Sequence, residues 1–380
     1  MLRRLLVLGL AITIFASQAI WVTFSPASSL IASELGVRKE AVGMLAITFP
    51  TLFLILTIPS GLLLDRNFKK WLTIGVIATG LAGILRLAFP RDYSWLFACQ
   101  VLAGVGQPFL LNSFAPLASR LYPERKETIV SILSFSMYLG IIYALGTGRW
   151  IYKAHGLYGL LLPIALVSLL GLVLYGYASM KIEMPEVKVE RSVIAEMREV
   201  ASIRELWLLG IILGLGVALF DNMSIWLETV LANVELGDVA GPSVALSLIL
   251  GLAGVAVIPT IITRRSKRTM YIRGVTLFGI IVYGLLAVKT TRLGTLTLIP
   301  AIGLLMLPAY PIIMEWISTF YPKRIHGSAS GFIGFVSRIF TVALAMVAVV
   351  FIGSPHSYFA FLASLTMIAL IVSLLLPRDK

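Results

Sequence analysis

Twelve apolar runs divide this chain, each with room for the roughly 20 residues a helix needs to cross a bilayer. They lie near 5–32, 41–64, 71–89, 94–121, 128–148 and 157–177 in the first half, and near 207–231, 242–262, 271–288, 295–320, 327–352 and 357–376 in the second. Gly and Pro punctuate the joints, at Gly36, Pro90, Pro123, Gly156, Gly241-Pro242, Gly294, Pro322, Gly353 and Pro355. Hydrophobic residues make up 59% of the chain and charged residues 13%, whereas a soluble chain carries about 25% charged. The expected fold class is all-α and integral to a membrane, with 12 transmembrane helices. The first run opens on Arg3-Arg4 and contains Ala16-Ser17-Gln18-Ala19, which imitates a secretory signal with its cleavage site. Its apolar character continues to about Ala32, long enough to span, so a retained first helix is expected.

In a soluble protein a net charge of +13 would suggest a nucleic-acid partner. Here the basic residues sit in short loops between apolar runs, so no nucleic acid is expected and anionic lipid is the fitting partner. With a cytoplasmic N-terminus, inner segments hold 22 of the 31 Lys and Arg residues. The outer loops hold seven: Arg38, Lys39, Arg91, Arg149, Lys153, Lys289 and Arg292. The positive-inside rule then places both termini in the cytoplasm of a multi-pass protein of the cell membrane. Cys99 is the single cysteine, so no intramolecular disulfide can form. His155, His326 and His356 are scattered in loops without metal-ligand spacing. No His stands within helical reach of another His, a Cys or a carboxylate inside a span. No metal, cofactor or catalytic group is therefore expected, and an enzyme is disfavoured.

One long polar segment, about 178–206, separates the halves and mixes charges of both signs. Val189, Val193, Met197 and Val200 recur at helical spacing, which predicts an amphipathic surface helix in a solvated tether. Three short matches then relate the halves. Glu34-Leu35-Gly36 recurs as Glu235-Leu236-Gly237, Arg66-Asn67-Phe68-Lys69-Lys70 as Arg264-Arg265-Ser266-Lys267-Arg268, and Tyr122-Pro123-Glu124-Arg125 as Tyr321-Pro322-Lys323-Arg324. The offsets are nearly constant at 201, 198 and 199. Two parallel six-helix bundles follow, residues 1–177 and 207–380, joined by a cytoplasmic linker at 178–206.

A tight connection between two runs is Gly61-Leu62-Leu63-Leu64-Asp65-Arg66-Asn67-Phe68-Lys69-Lys70. Gly61 would allow neighbouring helices to approach closely, and Lys69 and Lys70 would hold the turn in the cytoplasm. Asp65 can face helix N-termini or Arg66. This spacing resembles the signature loop between helices 2 and 3 of major facilitator superfamily transporters. The resemblance implies that Gly61, Asp65, Arg66 and Lys69 latch the outward-open state. Phe68 stands where the family has Gly. The second-half loop has Pro259 and Thr263 in place of the Gly and Asp, so the latch is expected to be asymmetric.

Ionisable groups in hydrocarbon are costly unless paired or wet. Asp221 and Arg338 lie at similar depths, roughly 15–20 Å from the inner surface at about 1.5 Å per residue, and could reach one another. They form either a structural ion pair or a solute or proton site. Glu315 could compete for Arg338 or meet the basic loop ends. Arg86 is expected to snorkel to the outer surface, and Glu228 to be solvated. The family resemblance implies that helices 1, 4, 7 and 10 line a cavity. They carry Gln18 and Trp21, Gln107 and Asn112, Asn222 and Trp226, and Tyr310 between Pro308 and Pro311, all polar or aromatic groups near one depth. Such a lining suits a small amphipathic organic solute, although each amide could instead bridge two helices.

Two further family patterns are broken. Helix 4 of many proton-coupled members carries Arg-x-x-x-Gly-x-Gly, where this chain has Gln100-x-x-x-Gly104-x-Gly106. The Gly-Pro kink of drug antiporters is missing between Gly140 and Gly148. More narrowly, Trp21 with Phe24-Ser25-Pro26, and Gly106-Gln107-Pro108-Phe109 with Asn112, resemble the branch of eukaryotic haem and choline transporters. There the helix-1 Trp helps to cage a quaternary cation. The resemblance as a whole implies a monomeric secondary transporter working by alternating access, with a proton or sodium ion as candidate coupling partner. A transport-like receptor that binds a small molecule without net flux is the alternative.

Overall fold

The computed structural model describes residues 1–184, 198–322 and 325–377. Every regular element among them is helical, and the chain forms two compact units, Met1–Glu190 and Arg191–Lys380. Eleven helical segments among the described residues are long and apolar enough to cross a membrane. Large apolar side chains such as Ile55, Phe135, Leu166, Leu277 and Ile371 point outward from them. Water would not favour such a surface, and lipid does.

The first unit contains α1 (Leu2–Val22), α2 (Ser28–Leu35), α3 (Lys39–Arg66), α4 (Phe68–Leu85), α5 (Tyr93–Leu111), α6 (Phe114–Leu121) and α7 (Lys126–Lys181). A 3-10 turn at Ser25–Ala27 interrupts the first apolar run. Pro26 lacks the N–H that would have bonded the Val22 carbonyl, so the helix breaks there. Asp92 caps α5 by accepting from the backbone N–H groups of Ser94 and Trp95.

At 56 residues α7 is too long for one crossing. Gly156 within it has φ 65° and ψ −168°, a region open essentially to glycine alone. The limbs on either side run along α1 in opposite senses. Gly140 and Gly148 face Phe15 and Pro26, whereas Gly171 faces Thr13 and Tyr175 faces Gly9. The chain therefore reverses at Gly156. A Cβ on Gly140 would lie 2.2 Å from the Phe15 carbonyl oxygen, so the first limb meets α1 backbone to backbone.

The second unit contains α8 (Arg204–Ala232), α9 (Gly237–Arg264), α10 (Arg268–Val288), α11 (Arg292–Met306), α12 (Ala309–Phe320), α13 (His326–Val347) and α14 (Pro355–Leu374). A break at Pro308 separates α11 from α12. The Tyr271 hydroxyl donates to the Leu305 carbonyl just before the break, at 2.5 Å. The amphipathic helix expected through Val189, Val193 and Met197 falls outside the described residues. Val200 is fully buried in an apolar core with Leu206, Leu209 and Ile333.

Two expected environments are corrected. Arg86 does not snorkel outward but is fully buried. Its long side chain turns inward to the Thr23 hydroxyl and the Phe24 ring. Glu228 is buried rather than solvated, because α8 is enclosed along almost all of its length from Asp221 to Leu231.

Candidate functional site

In the second unit the uninterrupted α8 presents Asp221 to α13. Arg338 Nη1 lies 3.7 Å from Asp221 Oδ2, an ion pair too long to be a hydrogen bond. Their side chains are 30% and 3% exposed, so the pair has one accessible member and one enclosed member. Tyr310, exposed on α12 just beyond the Pro308 break, lies within electrostatic reach of Arg338. Asn222 donates to the Ala218 carbonyl of its own helix at 2.8 Å. The Asn222 Oδ1 and Ser224 Oγ atoms are buried without hydrogen-bond partners. Ser224 was not singled out from the sequence, and a lone hydroxyl in an apolar helix gives little signal. Trp226 is fully buried and its indole N–H donates to the Ala345 carbonyl at 3.1 Å.

Glu315 does not compete for Arg338. Its carboxylate accepts Arg268 Nε and Nη2 at 2.5 and 2.7 Å, and the Thr319 hydroxyl at 2.6 Å. Arg268 is the first residue of α10, and its bidentate fork matches the carboxylate.

The candidates of the first unit are mostly engaged in joining helices. Trp21 donates to the Ala46 carbonyl at 3.0 Å. Asn112, at the α5–α6 junction, donates to the Thr57 carbonyl at 2.9 Å and to Ser60 Oγ at 2.9 Å, which ties that break to α3. Gln18 and Gln107 are buried, and Gln18 Nε2 has no hydrogen-bond partner. The position without an Arg on helix 4 is also occupied. Gln100 Nε2 donates to the Ile20 and Trp21 carbonyls at 3.0 and 3.2 Å. Arg86 arrives from α4 at Thr23, a turn further along the same stretch.

The α3–α4 loop folds around its own first residues. Asn67 caps α4 by accepting from the Lys70 backbone N–H at 3.0 Å. Lys69 Nζ donates to the Ile182 carbonyl at 2.9 Å, a cation at the end of α7. Phe68 is buried among Leu64, Leu72, Leu117 and Leu121, so the departure from Gly supplies core. Its ring also carries the Arg120 guanidinium at 4.4 Å, and Arg120 is in electrostatic reach of Asp65. Asp65 and Arg66 are exposed. The close approach expected at Gly61 is not made, since a Cβ there would meet nothing within 4 Å. Higher up, α3 leans on α5 through Gly104 instead, where a Cβ would lie 2.7 Å from Leu52. Beside the loop is a groove of about 570 Å³ lined by Asn67, Lys69, Lys70, Thr73, Gly176 and Ser179.

The corresponding loop of the second unit has the polarity reversed. Its base, Arg268, comes from the start of α10 and its acid, Glu315, from α12. In the first unit the loop supplies Asp65 and α6 supplies Arg120. Both arginines lie over a phenylalanine, Arg268 being 5.5 Å from the Phe320 ring centre.

Comparison with known proteins adds three findings. The solute carrier family 49 member A3 of Xenopus tropicalis is 26% identical over 291 residues, which is 70% of this chain and 60% of that protein. The chain thus matches about three fifths of that relative's length. A bacterial homologue of the human lysosomal transporter Spinster, solved inward-facing and unoccupied, has a TM-score of 0.71 at 13% identity. The match covers 98% of this chain and 95% of that one, and it speaks to the fold. A family model described as Major Facilitator Superfamily matches residues 10–345, from the first apolar helix into α13. This multi-pass membrane protein therefore belongs to the Major Facilitator Superfamily, whose members are transporters rather than enzymes.

Proposed function

We propose that the chain is a secondary active transporter that moves a small organic solute across the cell membrane by alternating access. The reading takes twelve crossings. It counts α7 twice because of its reversal at Gly156, and it counts α1–α2, α5–α6 and α11–α12 once each. Residues 1–177 and 207–380 then form two six-helix bundles, with 178–206 as cytoplasmic linker and both termini inside, on the positive-inside bias. The monomer is the transporting unit. The groove beside Lys70 suits an anionic lipid headgroup.

The observation that carries the solute site is the Asp221–Arg338 pair. At 3.7 Å, with Arg338 partly accessible and Tyr310 near it, the pair can exchange partners. A solute with a polar or charged group would take up Arg338 or Asp221, and a proton or sodium ion on Asp221 would release Arg338 for it. Asn222 supplies an unspent acceptor beside them, and Gln18 an unspent donor in the first unit. Gln107 completes the amide set. Trp21, Asn112 and Trp226 support the reading by fixing the helices that carry these groups. The loop with Gly61, Asp65, Arg66 and Lys69 biases one end-state of the cycle.

The test is a thermal-shift screen of small organic cations, anions and nucleobases on the purified protein, followed by flux of each hit in proteoliposomes with and without a pH gradient. Asp221→Asn is expected to alter uptake or its pH dependence. Wild-type flux by that variant at every pH would leave Asp221 a structural partner. Binding without flux would sink the transport reading.

A further inference from the structure

Arg86 is the C-cap of α4 and has no exposed surface. Its Nη1 donates to Thr23 Oγ1 at 3.2 Å, and the guanidinium lies 5.7 Å from the centre of the Phe24 ring. Its Nε and Nη2 have no hydrogen-bond partner in the protein. These two nitrogens form one edge of the guanidinium, the edge that grips an anion with parallel N–H groups. Arg268 shows the same edge in use, with Nε and Nη2 each on one Glu315 carboxylate oxygen. Among the described residues no Asp or Glu forms an ion pair with Arg86.

A guanidinium cannot shed its proton to escape burial. A charge enclosed in an apolar interior is strongly unfavourable until another charge neutralises it. Phe24 and the carbonyl end of α1 offer only fractional negative charge. Cys99 lies within electrostatic reach of Arg86, and its thiol can act as a weak donor. The chemistry at this point is thus one full positive charge with two unspent N–H groups, Nε and Nη2.

We propose that the Nε and Nη2 edge of Arg86 binds a small monovalent anion within the first unit, chloride being the abundant choice. The anion neutralises the buried charge and fixes Arg86 against Thr23, next to the 3-10 break that ends α1. The site is independent of the Asp221–Arg338 reading, because every residue it uses belongs to the first unit.

The experiment follows thermal unfolding of the purified protein in sodium chloride, sodium bromide and sodium gluconate at matched ionic strength. The midpoint should be about 3 °C or more higher in chloride and bromide than in gluconate. Arg86→Met, which keeps the volume without the charge, should lose that difference. Equal midpoints in the three salts, or the same anion response in Arg86→Met, would overturn the proposal. Should Arg86→Met not fold, crystals of the unaltered protein grown in bromide decide the matter. An anomalous peak within hydrogen-bond distance of Arg86 Nε and Nη2 supports the site. No peak there, with water in its place, refutes it.

Discussion

Replacing Glu315 by Gln should lower the thermal midpoint of the purified protein by roughly 4–12 °C. The figure follows from the geometry of its pair with Arg268, whose side chain is 6% exposed against 33% for Glu315. Removing one partner of a buried ion pair costs about 3–5 kcal/mol, because the other charge stays enclosed. Glu315 is about one third exposed, so solvent already screens part of that, and a Gln oxygen can still accept one of the two N–H groups. About 2–3 kcal/mol remains, and each kcal/mol moves the midpoint of a unit of this size by about 2–4 °C. The assay is differential scanning fluorimetry in detergent on four proteins: wild type, Glu315→Gln, Arg268→Met, and Arg268→Met with Glu315→Leu. Since the loss comes from a guanidinium that stays enclosed after its carboxylate is removed, the apolar double variant should be more stable than the sum of the single effects. A shift below about 1 °C for Glu315→Gln, or strictly additive losses in the double variant, would refute the reasoning.

Two glycines separate steric from conformational cost. Gly140→Ala should destabilise by about 1–3 kcal/mol, because its methyl would meet the Phe15 carbonyl oxygen and force two helices apart. Gly156→Ala has open space around it but a positive φ, so it should cost about 1–3 kcal/mol through backbone strain alone. Unfolding midpoints of both variants, compared with Gly176→Ala at a site with neither constraint, give the check. Asp65→Asn should shift the resting population toward inward-open by weakening the attraction to Arg120. Labelling of introduced cysteines from the two sides reads this out, since the single native Cys99 is buried. Unchanged labelling would remove the latch role.

Run length and breakers made the helices legible, because lipid demands internally bonded backbone over a fixed distance. Gly156 read as a joint and is one, although helix continues on both sides of it. The breaks at Pro308 and Pro26 differ in how they could be read. Three residues, Pro308, Tyr310 and Pro311, flag the first, whereas a single Pro26 followed by Ala-Ser-Ser looked like the tail of one long span. Depth counting brought Asp221 and Arg338 to the same level, which is all that periodicity within one helix can do. It could not tell that the indoles of Trp21 and Trp226 are spent on main-chain carbonyls, because that depends on the rotation of a neighbouring helix. Arg86 failed for a related reason. A side chain that long reaches outward or inward from the same Cα, and Thr23 and Phe24 on another helix decide between them.

The turn-back at Gly156 has a mechanical meaning. Consecutive Cα atoms stand about 3.8 Å apart, so a connection of one residue gives the limbs 126–155 and 157–181 almost no slack at their shared tip. Whatever rearrangement the first unit undergoes, the two limbs pivot about that tip or travel together. Its separation stays fixed while longer loops stretch, which makes it, with the equally short α3–α4 connection at Asn67, a natural benchmark against which displacement elsewhere can be gauged.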